Sequence, residues 1–148
     1  MAFTGNYKCN AFQTGLATGL FNFGAGTADV FKIALYTNDA TLDADTPSYT
    51  TAGEVTDTGY VAGGYTLTIT TVPTVGGATG PSAVTYWSFA NPSWSGAITA
   101  RGALLYKADG LSNPAICVLD FGANKTSTST FTVQFPAATN TSAIIRIA

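Results

Sequence analysis

The stretch ITARGALLYK, residues 98–107, is apolar at successive positions rather than at alternate ones. A strand with one face in solvent alternates apolar and polar residues, whereas a strand buried on both faces reads as a nearly continuous apolar run. Ala103, Leu104, Leu105 and Tyr106 would occupy both faces of an extended strand, because successive side chains point to opposite sides. The pattern therefore predicts an internal strand with structure packed against each of its faces.

Shorter segments with a period of two lie on both sides of this stretch in the sequence. They are VFKIALYT (30–37), YTLTITTV (65–72), AVTYWSFA (83–90), AICVLDFG (115–122), STFTVQFP (129–136) and SAIIRIA (142–148). Clusters rich in Gly, Asn, Pro and Ser separate them, as is typical of turns. Seven short strands at this spacing predict a mainly β chain, folded as a single antiparallel β-sandwich or barrel-like domain over residues 1–148. The strands from Ile98 onward are expected to form a meander.

One segment near the N-terminus has helical spacing instead. Phe12, Leu16, Leu20 and Phe23 recur three or four residues apart, which predicts one short helix over residues 7–22. The glycines of FGAG would end it, since Gly is favoured just past a helix C-terminus. Residues 1–23 are therefore expected to form an N-terminal arm that contains this helix.

The surface of this protein must be poor in charge. Charged residues make up only 9% of the chain, against about 25% in ordinary domains. The 25 Thr suit a pleated, half-buried surface, and low charge favours a subunit that its neighbours cover. Six scattered basic residues and a net charge of −2 argue against a nucleic-acid partner. No segment has the pattern of a membrane-surface helix or the ~20 apolar residues of a membrane span, so no membrane partner is expected.

Catalytic chemistry has few candidates in this sequence. The absence of His removes His-based triads, His metal ligands and the commonest general base. No phosphate-binding or dinucleotide-binding motif is found, so we expect no cofactor, no small-molecule ligand and no enzyme activity. Cys9 and Cys117 are expected to be reduced apolar residues, with a disulfide between them as the alternative.

Arg101 and Asp120 each stand among apolar residues, on strands that we expect to be neighbours. An acid in such surroundings can have a perturbed pKa and a function. Partly buried charges are, however, normally paired with an opposite charge. We therefore predict that these two side chains form a structural ion pair.

The long loop after VFKIALYT carries Asp39, Asp43 and Asp45 in the segment TNDATLDADT. Carboxylate oxygens suit calcium, but the spacing and the Gly of an EF-hand are missing. Asp, Asn and Thr are also ordinary turn-capping residues. Calcium binding stays open as the alternative, and the prediction is a loop over residues 38–54 that connects strands and contacts a partner, without a metal.

Four aromatic residues, Tyr86, Trp87, Trp94 and Tyr106, would serve either as a stacking platform for a sugar or as core residues. Alternation sends Tyr86 and Trp87 to opposite faces of one strand, so at least one of them is expected in the core. Core packing is the prediction, and glycan binding is the alternative.

The order of segments resembles that of a family of small virion structural proteins of tailed bacteriophages. The segments that carry the likeness are MAFTGNY (1–7), residues 31–68 with TGYVAGGYTL, ITARGALLY (98–106), PAICVLDFG (114–122), TSTSTFTVQFP (126–136) and AIIRIA (143–148). The resemblance spans nearly the whole chain and implies no catalytic residues. It implies a virion component made in the cytoplasm of the bacterial host, and the first residues lack the pattern of a signal peptide.

Within that family, the resemblance implies first a capsid decoration (cement) protein on the outer capsid surface, which stabilises the head by bridging major capsid subunits. Its partners would be the major capsid protein and copies of itself, with a trimer as one assembly. The candidate contact residues are Met1, Ala2, Phe3, Thr4, Asn38, Asp39, Asp43, Asp45 and Tyr49. A tail, head–tail connector or fibre-associated protein is the alternative, followed by a glycan- or receptor-binding module.

Overall fold

A computed structural model describes residues 3–77 and 79–148 and has a mainly β architecture of antiparallel sheets packed against each other. The described residues form ten strands, one α-helix and a 3₁₀ turn at Gly80–Ser82. In chain order they are β1 (Tyr7–Lys8), α1 (Asn10–Ala17), β2 (Phe31–Tyr36), β3 (Tyr65–Thr66), β4 (Ile69–Gly77), β5 (Ala83–Phe89), β6 (Ser93–Ser95), β7 (Thr99–Lys107), β8 (Ala115–Thr126), β9 (Thr130–Thr132) and β10 (Ile145–Ile147).

The strands form three sheets. The largest has the order β1-β8-β7-β2-β3, the second has the order β10-β5-β4, and β6 and β9 form a two-stranded ribbon. The arrangement is sandwich-like and does not close into a barrel, which confirms the sandwich prediction and not the barrel-like one.

β7 is the internal strand that its sequence predicts. It pairs with β2 on one side and β8 on the other, so that Leu105 lies opposite both Ile33 and Cys117. Ala103 and Leu105 face a main core, whereas Leu104 and Tyr106 face a second core on the other side of the sheet. Both faces of β7 are covered, which explains the continuous apolar run.

The main core lies between the five-stranded sheet and the three-stranded sheet and is rich in aromatic rings. The ring of Phe23 stacks on that of Phe31, with centroids 4.3 Å apart, and lies 4.9 Å from the ring of Trp87. Phe12 of α1 adds an edge-on contact to Phe23 at 6.2 Å. The helix is therefore held by its own sheet, since its apolar side chain points into this cluster.

The second core shows that the N-terminal segment and the long loop are parts of the fold. Phe3 and Cys9 from the N-terminal segment, and Ala40 and Leu42 from the loop, are buried against the outer face of the five-stranded sheet. The Cys9 N–H also donates to the Ile116 carbonyl at 2.9 Å. The N-terminal segment is thus packed on the body of the domain, because apolar side chains fix it to the sheet.

The helix is shorter than its periodicity predicts, running over Asn10–Ala17 rather than residues 7–22. On the N-terminal side, Tyr7 and Lys8 pair with Val118 and Cys117 as a strand. On the C-terminal side, Gly19 has φ 74, a left-handed conformation that Gly adopts without strain. Backbone pairing and this turn limit the helix.

Two strand predictions were also wrong. YTLTITTV does not form one strand: β3 belongs to the five-stranded sheet and β4 to the three-stranded sheet, so the chain changes sheet at residues 67–68. The meander holds only for β7 and β8, because β9 pairs with β6 and β10 pairs with β5. β6 itself lies in NPSWSG, which its Pro, Ser and Gly mark as a turn in the sequence.

Candidate interaction surface

Charge is absent from a long continuous part of the chain. Residues 58–100 contain no Asp, Glu, Lys or Arg, and they include all of β3, β4, β5 and β6. Arg146 on β10 is the single charged residue of the three-stranded sheet. The shortage of charge thus falls mainly on the three-stranded sheet and on the ribbon of β6 and β9, and the overall composition does not show this distribution.

The hairpin of β4 and β5 belongs to this uncharged segment, and its outer part extends beyond the core. Pairing runs from Ile69 opposite Phe89 to Gly77 opposite Ala83. β4 is an edge strand, and most of its residues are exposed. Val75 is 68% exposed, so an apolar side chain on this strand faces solvent.

One face of the three-stranded sheet is buried in the main core at one end and exposed to solvent at the other. Thr85 pairs with Val75 on one side and with Ile147 on the other, so these three side chains form a row on one face. Trp87 stands two residues further along β5, on the same face, and is only 2% exposed. The face that packs on the main core thus continues beyond it, and its outer part is uncovered. We call this outer part, Val75, Ala83, Thr85 and Ile147, the hairpin surface.

The outer edge of β4 is protected from pairing with another strand, whereas one face of the strand is exposed to solvent. Pro73 lies within β4, where the register shifts between Thr71 and Thr74. Pro has no N–H to offer a neighbouring strand, and Pro and bulges are devices that protect sheet edges from pairing. A partner would therefore contact the face of this hairpin rather than extend its sheet.

The contact residues predicted from the first segment are placed as follows. Met1 and Ala2 lie outside the described residues. Phe3 is 1% exposed, with its ring 5.6 Å from the guanidinium carbon of Arg101, so its prediction as a partner contact was wrong. Burial of its ring in the second core is the physical reason. Thr4 is exposed and shares a hydrogen bond with the Tyr7 hydroxyl.

Two acids of the long loop, Asp43 and Asp45, are hydrogen-bonded within the fold. The Asp43 carboxylate accepts the Asp45 N–H at 2.9 Å, and the Asp45 carboxylate accepts the Asn10 side-chain amide at 2.7 Å. Asn38 and Asp39 are exposed at the start of the loop. Over residues 3–77 and 79–148, no three or more His, Cys, Asp or Glu side chains gather as metal ligands would. The geometry is that of turn capping.

Tyr49 belongs to a buried polar site that the sequence did not predict. Its hydroxyl donates to Oε2 of Glu54 at 2.6 Å, while the Tyr60 hydroxyl and the Gly63 N–H donate to Oε1 at 2.6 and 2.7 Å. Glu54 is 7% exposed. Its charge is met by three donors, which is how a buried carboxylate is normally satisfied. Tyr49, half-buried and bonded inward, is a structural residue.

Two more tyrosines complete what we call the Glu54 cluster: Tyr36, Tyr49, Glu54, Tyr60 and Tyr106. The Tyr36 hydroxyl donates to the Thr50 carbonyl at 2.7 Å, and the Tyr106 hydroxyl donates to the Gly63 carbonyl at 2.8 Å. Burial, with the nearby charge of Glu54, raises the pKa of Tyr106 to about 12. Burial first, then contacts with Glu54, also raises the pKa of the other three phenols. The phenols remain neutral donors that fix the loop to the sheet.

The remaining acids and aromatics are structural as well. Arg101 and Asp120 form the predicted ion pair, with side chains 13% and 10% exposed. Trp87, Trp94 and Tyr106 are buried, which confirms core packing, and a platform made of the four aromatics was wrong. The two cysteines are free thiols.

Comparison with known proteins gives no match, whether with family models, with curated proteins or with solved structures. No helix in the described parts of the chain is long and apolar enough to cross a membrane. What the chain does is therefore inferred from its own surface.

Proposed function

We propose that this chain is a non-enzymatic virion structural protein of a tailed bacteriophage, and that it acts as a capsid decoration (cement) protein on the outer capsid surface. The observation that carries the proposal is the hairpin surface, an apolar continuation of the core face on a sheet almost without charge. The resemblance of the segment order to phage structural proteins supports a location in the virion. The hairpin surface supports attachment through an apolar contact.

An uncharged sheet face suits permanent coverage by another subunit. The centres of protein interfaces are depleted in charged residues, because a charge that loses water without a partner costs free energy. Val75 and Ile147 are 68% and 42% exposed, and covering them would gain about 25 cal/mol per Å2 of apolar area. A modest gain at each site becomes large for a shell when the contact repeats over many copies.

The distribution of acids supports a structural role over catalysis. Asp120 is paired with Arg101, Glu54 is buried under phenols, Asp43 caps its own loop, and Asp45 bonds to Asn10 at the start of α1. A hydrolase that uses two carboxylates needs both of them at a cleft that substrate can enter. These four acids are instead committed to holding the fold.

The proposed partners are the major capsid protein, bridged across neighbouring subunits, and copies of the chain itself. The hairpin surface replaces Phe3 as the principal contact. The exposed residues Thr4, Asn38, Asp39, Asp43 and Asp45 stay predictions for partner contacts.

The test is binding to capsids from which the protein has been omitted. Purified wild-type chain and two variants, Val75→Asp and Val61→Asp, are added to such capsids, and bound copies are counted by quantitative mass spectrometry. Val61 is 72% exposed and lies outside the hairpin surface, so it is the matched control. We expect hundreds of copies for the wild type and for Val61→Asp, and at least tenfold weaker binding for Val75→Asp.

Copy number in complete virions separates the alternatives. A few to a few dozen copies would place the chain in the tail or connector instead. Absence from purified virions would overturn the proposal altogether.

A further inference from the structure

A groove separates the edges of the two larger sheets. It has a volume of about 340 Å3 and lies between β1 with the adjoining part of β8 on one side and the segment that ends in β10 on the other. β1 and β10 are each the last strand of their sheet. We call it the edge groove, and its principal lining residues are Lys8, Phe12, Leu119, Pro136, Ile144 and Arg146.

The edge groove combines an apolar floor with a positive rim. Leu119, Pro136 and Ile144 provide apolar surface, while Lys8 and Arg146 are exposed, and the lining contains no acid. In the part of the chain that the structure describes, the ion pairs are Arg101–Asp120 and Lys107–Asp29, so neither rim cation is paired. The groove therefore fits an apolar group that stands close to a negative charge.

The loop between β7 and β8 presents a group of that kind. Leu111 is 91% exposed, more than any other large apolar residue in the described ranges. Asp109 lies two residues before it, and hydrogen bonds from the backbone of Asn113 and Leu111 keep the pKa of its carboxyl below the ordinary value. An apolar side chain and a charged carboxylate thus occupy one short loop.

This loop is held rigid by its own hydrogen bonds. The Asp109 carboxylate accepts the N–H of Leu111 at 2.9 Å and that of Asn113 at 2.8 Å. The Gly110 N–H donates to the Asn113 side chain at 3.1 Å. A side chain carried on a preorganised loop loses less conformational entropy on binding than one on a flexible loop.

We propose that Leu111 of one copy inserts into the edge groove of a second copy, with Asp109 facing Lys8 and Arg146. Because Leu111 is exposed to solvent, it does not fill the groove of its own chain. The contact joins two different surfaces, so it is heterologous, and its repetition generates a ring or an extended array. This self-association goes beyond capsid attachment and uses a loop that is separate from the hairpin surface.

Sedimentation velocity over a concentration series tests the contact. The wild-type chain should associate as its concentration rises, and Leu111→Ser should associate at least tenfold more weakly, because it removes the apolar anchor. Val61→Ser, which also removes an exposed apolar side chain, should behave as the wild type. Lys8→Ala with Arg146→Ala should weaken association, whereas Lys125→Ala, another exposed cation, should not.

Cross-linking of mixed variants gives the direction of the contact. Ser112→Cys and Pro136→Cys place thiols beside Leu111 and at the groove, on positions that are exposed. All cross-linking variants also carry Cys9→Ala and Cys117→Ala, because the native Cys117 lines the groove. A mixture of the two should yield a disulfide-linked dimer, and a mixture of Val61→Cys with Pro136→Cys should not. Adding Leu111→Ser to the first mixture should abolish the product.

Two results would overturn the proposal: a wild-type chain that stays monomeric at every concentration without specific cross-linking, or Leu111→Ser associating like the wild type. Val75→Asp should leave self-association unchanged. Loss of capsid binding and loss of self-association are thereby separate outcomes, and failure of one inference leaves the other standing.

Discussion

The hydroxyl of Tyr60 donates to Oε1 of Glu54 over 2.6 Å and accepts the N–H of Leu35 at 2.9 Å. One phenol thus joins a buried carboxylate in the long loop to the backbone of β2, an inner strand of the five-stranded sheet. The long loop is fixed by this pairing as well as by the apolar contacts of Leu42.

Replacing Tyr60 with Phe should lower the free energy of unfolding by about 1.5–3 kcal/mol, the range for a hydrogen bond to a charged group. The ring would still fill its place, but Glu54 would lose a donor and the Leu35 N–H would lose its acceptor. Urea denaturation measures the change. Tyr65→Phe is the matched control, because Tyr65 is 42% exposed and lies outside the cluster. Equal stability of the two variants would show that the pairing contributes nothing.

Alkaline pH should destabilise the fold through the Glu54 cluster. The folded chain raises the pKa of Tyr36, Tyr49, Tyr60 and Tyr106 above the ordinary phenol value. The unfolded chain then releases these protons first, so the stabilisation is complete below about pH 10 and is lost as pH rises above it. Urea midpoints measured on each side of that pH should differ, and tyrosinate absorbance should rise together with unfolding.

A midpoint that does not change with alkaline pH would contradict this assignment. Tyr60→Phe removes one of the raised phenols, so its stability should fall less steeply with pH than that of the wild type.

Gly102 should not tolerate a side chain. A Cβ at this position of β7 would overlap the Phe3 ring and the Leu119 carbonyl oxygen. Gly102→Ala should therefore expel Phe3 or shift β8, with a cost of about 1–3 kcal/mol, as for other overpacked cores. Gly19→Ala is a useful contrast, because there only backbone strain, and no neighbour within 4 Å, opposes the methyl group. Thermal unfolding of both variants measures the difference, and loss of the Phe3 contact should expose the first residues to proteolysis.

Strands that are covered on both faces could be predicted because their apolar residues follow one another without alternation. β7 and β8 could be recognised because Leu104, Leu105 and Val118 are buried on alternate faces and therefore belong to apolar runs in the sequence. The break at residues 67–68 could not be predicted, since Thr continues the alternation while the Leu67 N–H bonds back to Phe31. Leu67 thus still pairs with Phe31 at the start of β2, and the three-stranded sheet begins only at Ile69.

The Glu54 cluster and the hairpin surface could be predicted from the sequence to different extents. Glu54 is the single Glu of the chain, and its donors Tyr49, Tyr60 and Gly63 lie within nine residues of it, but no known motif marks this spacing. Tyr36 and Tyr106 come from β2 and β7, so their approach to Glu54 depends on the tertiary fold. Leu42 likewise lies in a loop segment of the sequence, and nothing near it in the sequence indicates that it is buried in the second core. The uncharged run over residues 58–100 was visible in the sequence, and only its place on an exposed hairpin required the structure.

The ion pair between Arg101 and Asp120 makes a prediction about both single and double variants. Asp120→Asn would leave the guanidinium of Arg101, 13% exposed, without its counter-charge. We expect a loss of about 2–3 kcal/mol, below the 3–5 kcal/mol of fully buried pairs because some solvent reaches this one. The double variant Arg101→Met with Asp120→Leu should recover most of that loss, since no charge remains to be desolvated. Urea denaturation of the wild type, Arg101→Met, Asp120→Leu and the double variant closes the cycle, and Asp120→Asn is measured beside them. If the single and double variants lose equal stability, packing around the Phe3 ring, and not charge, is what the pair supplies.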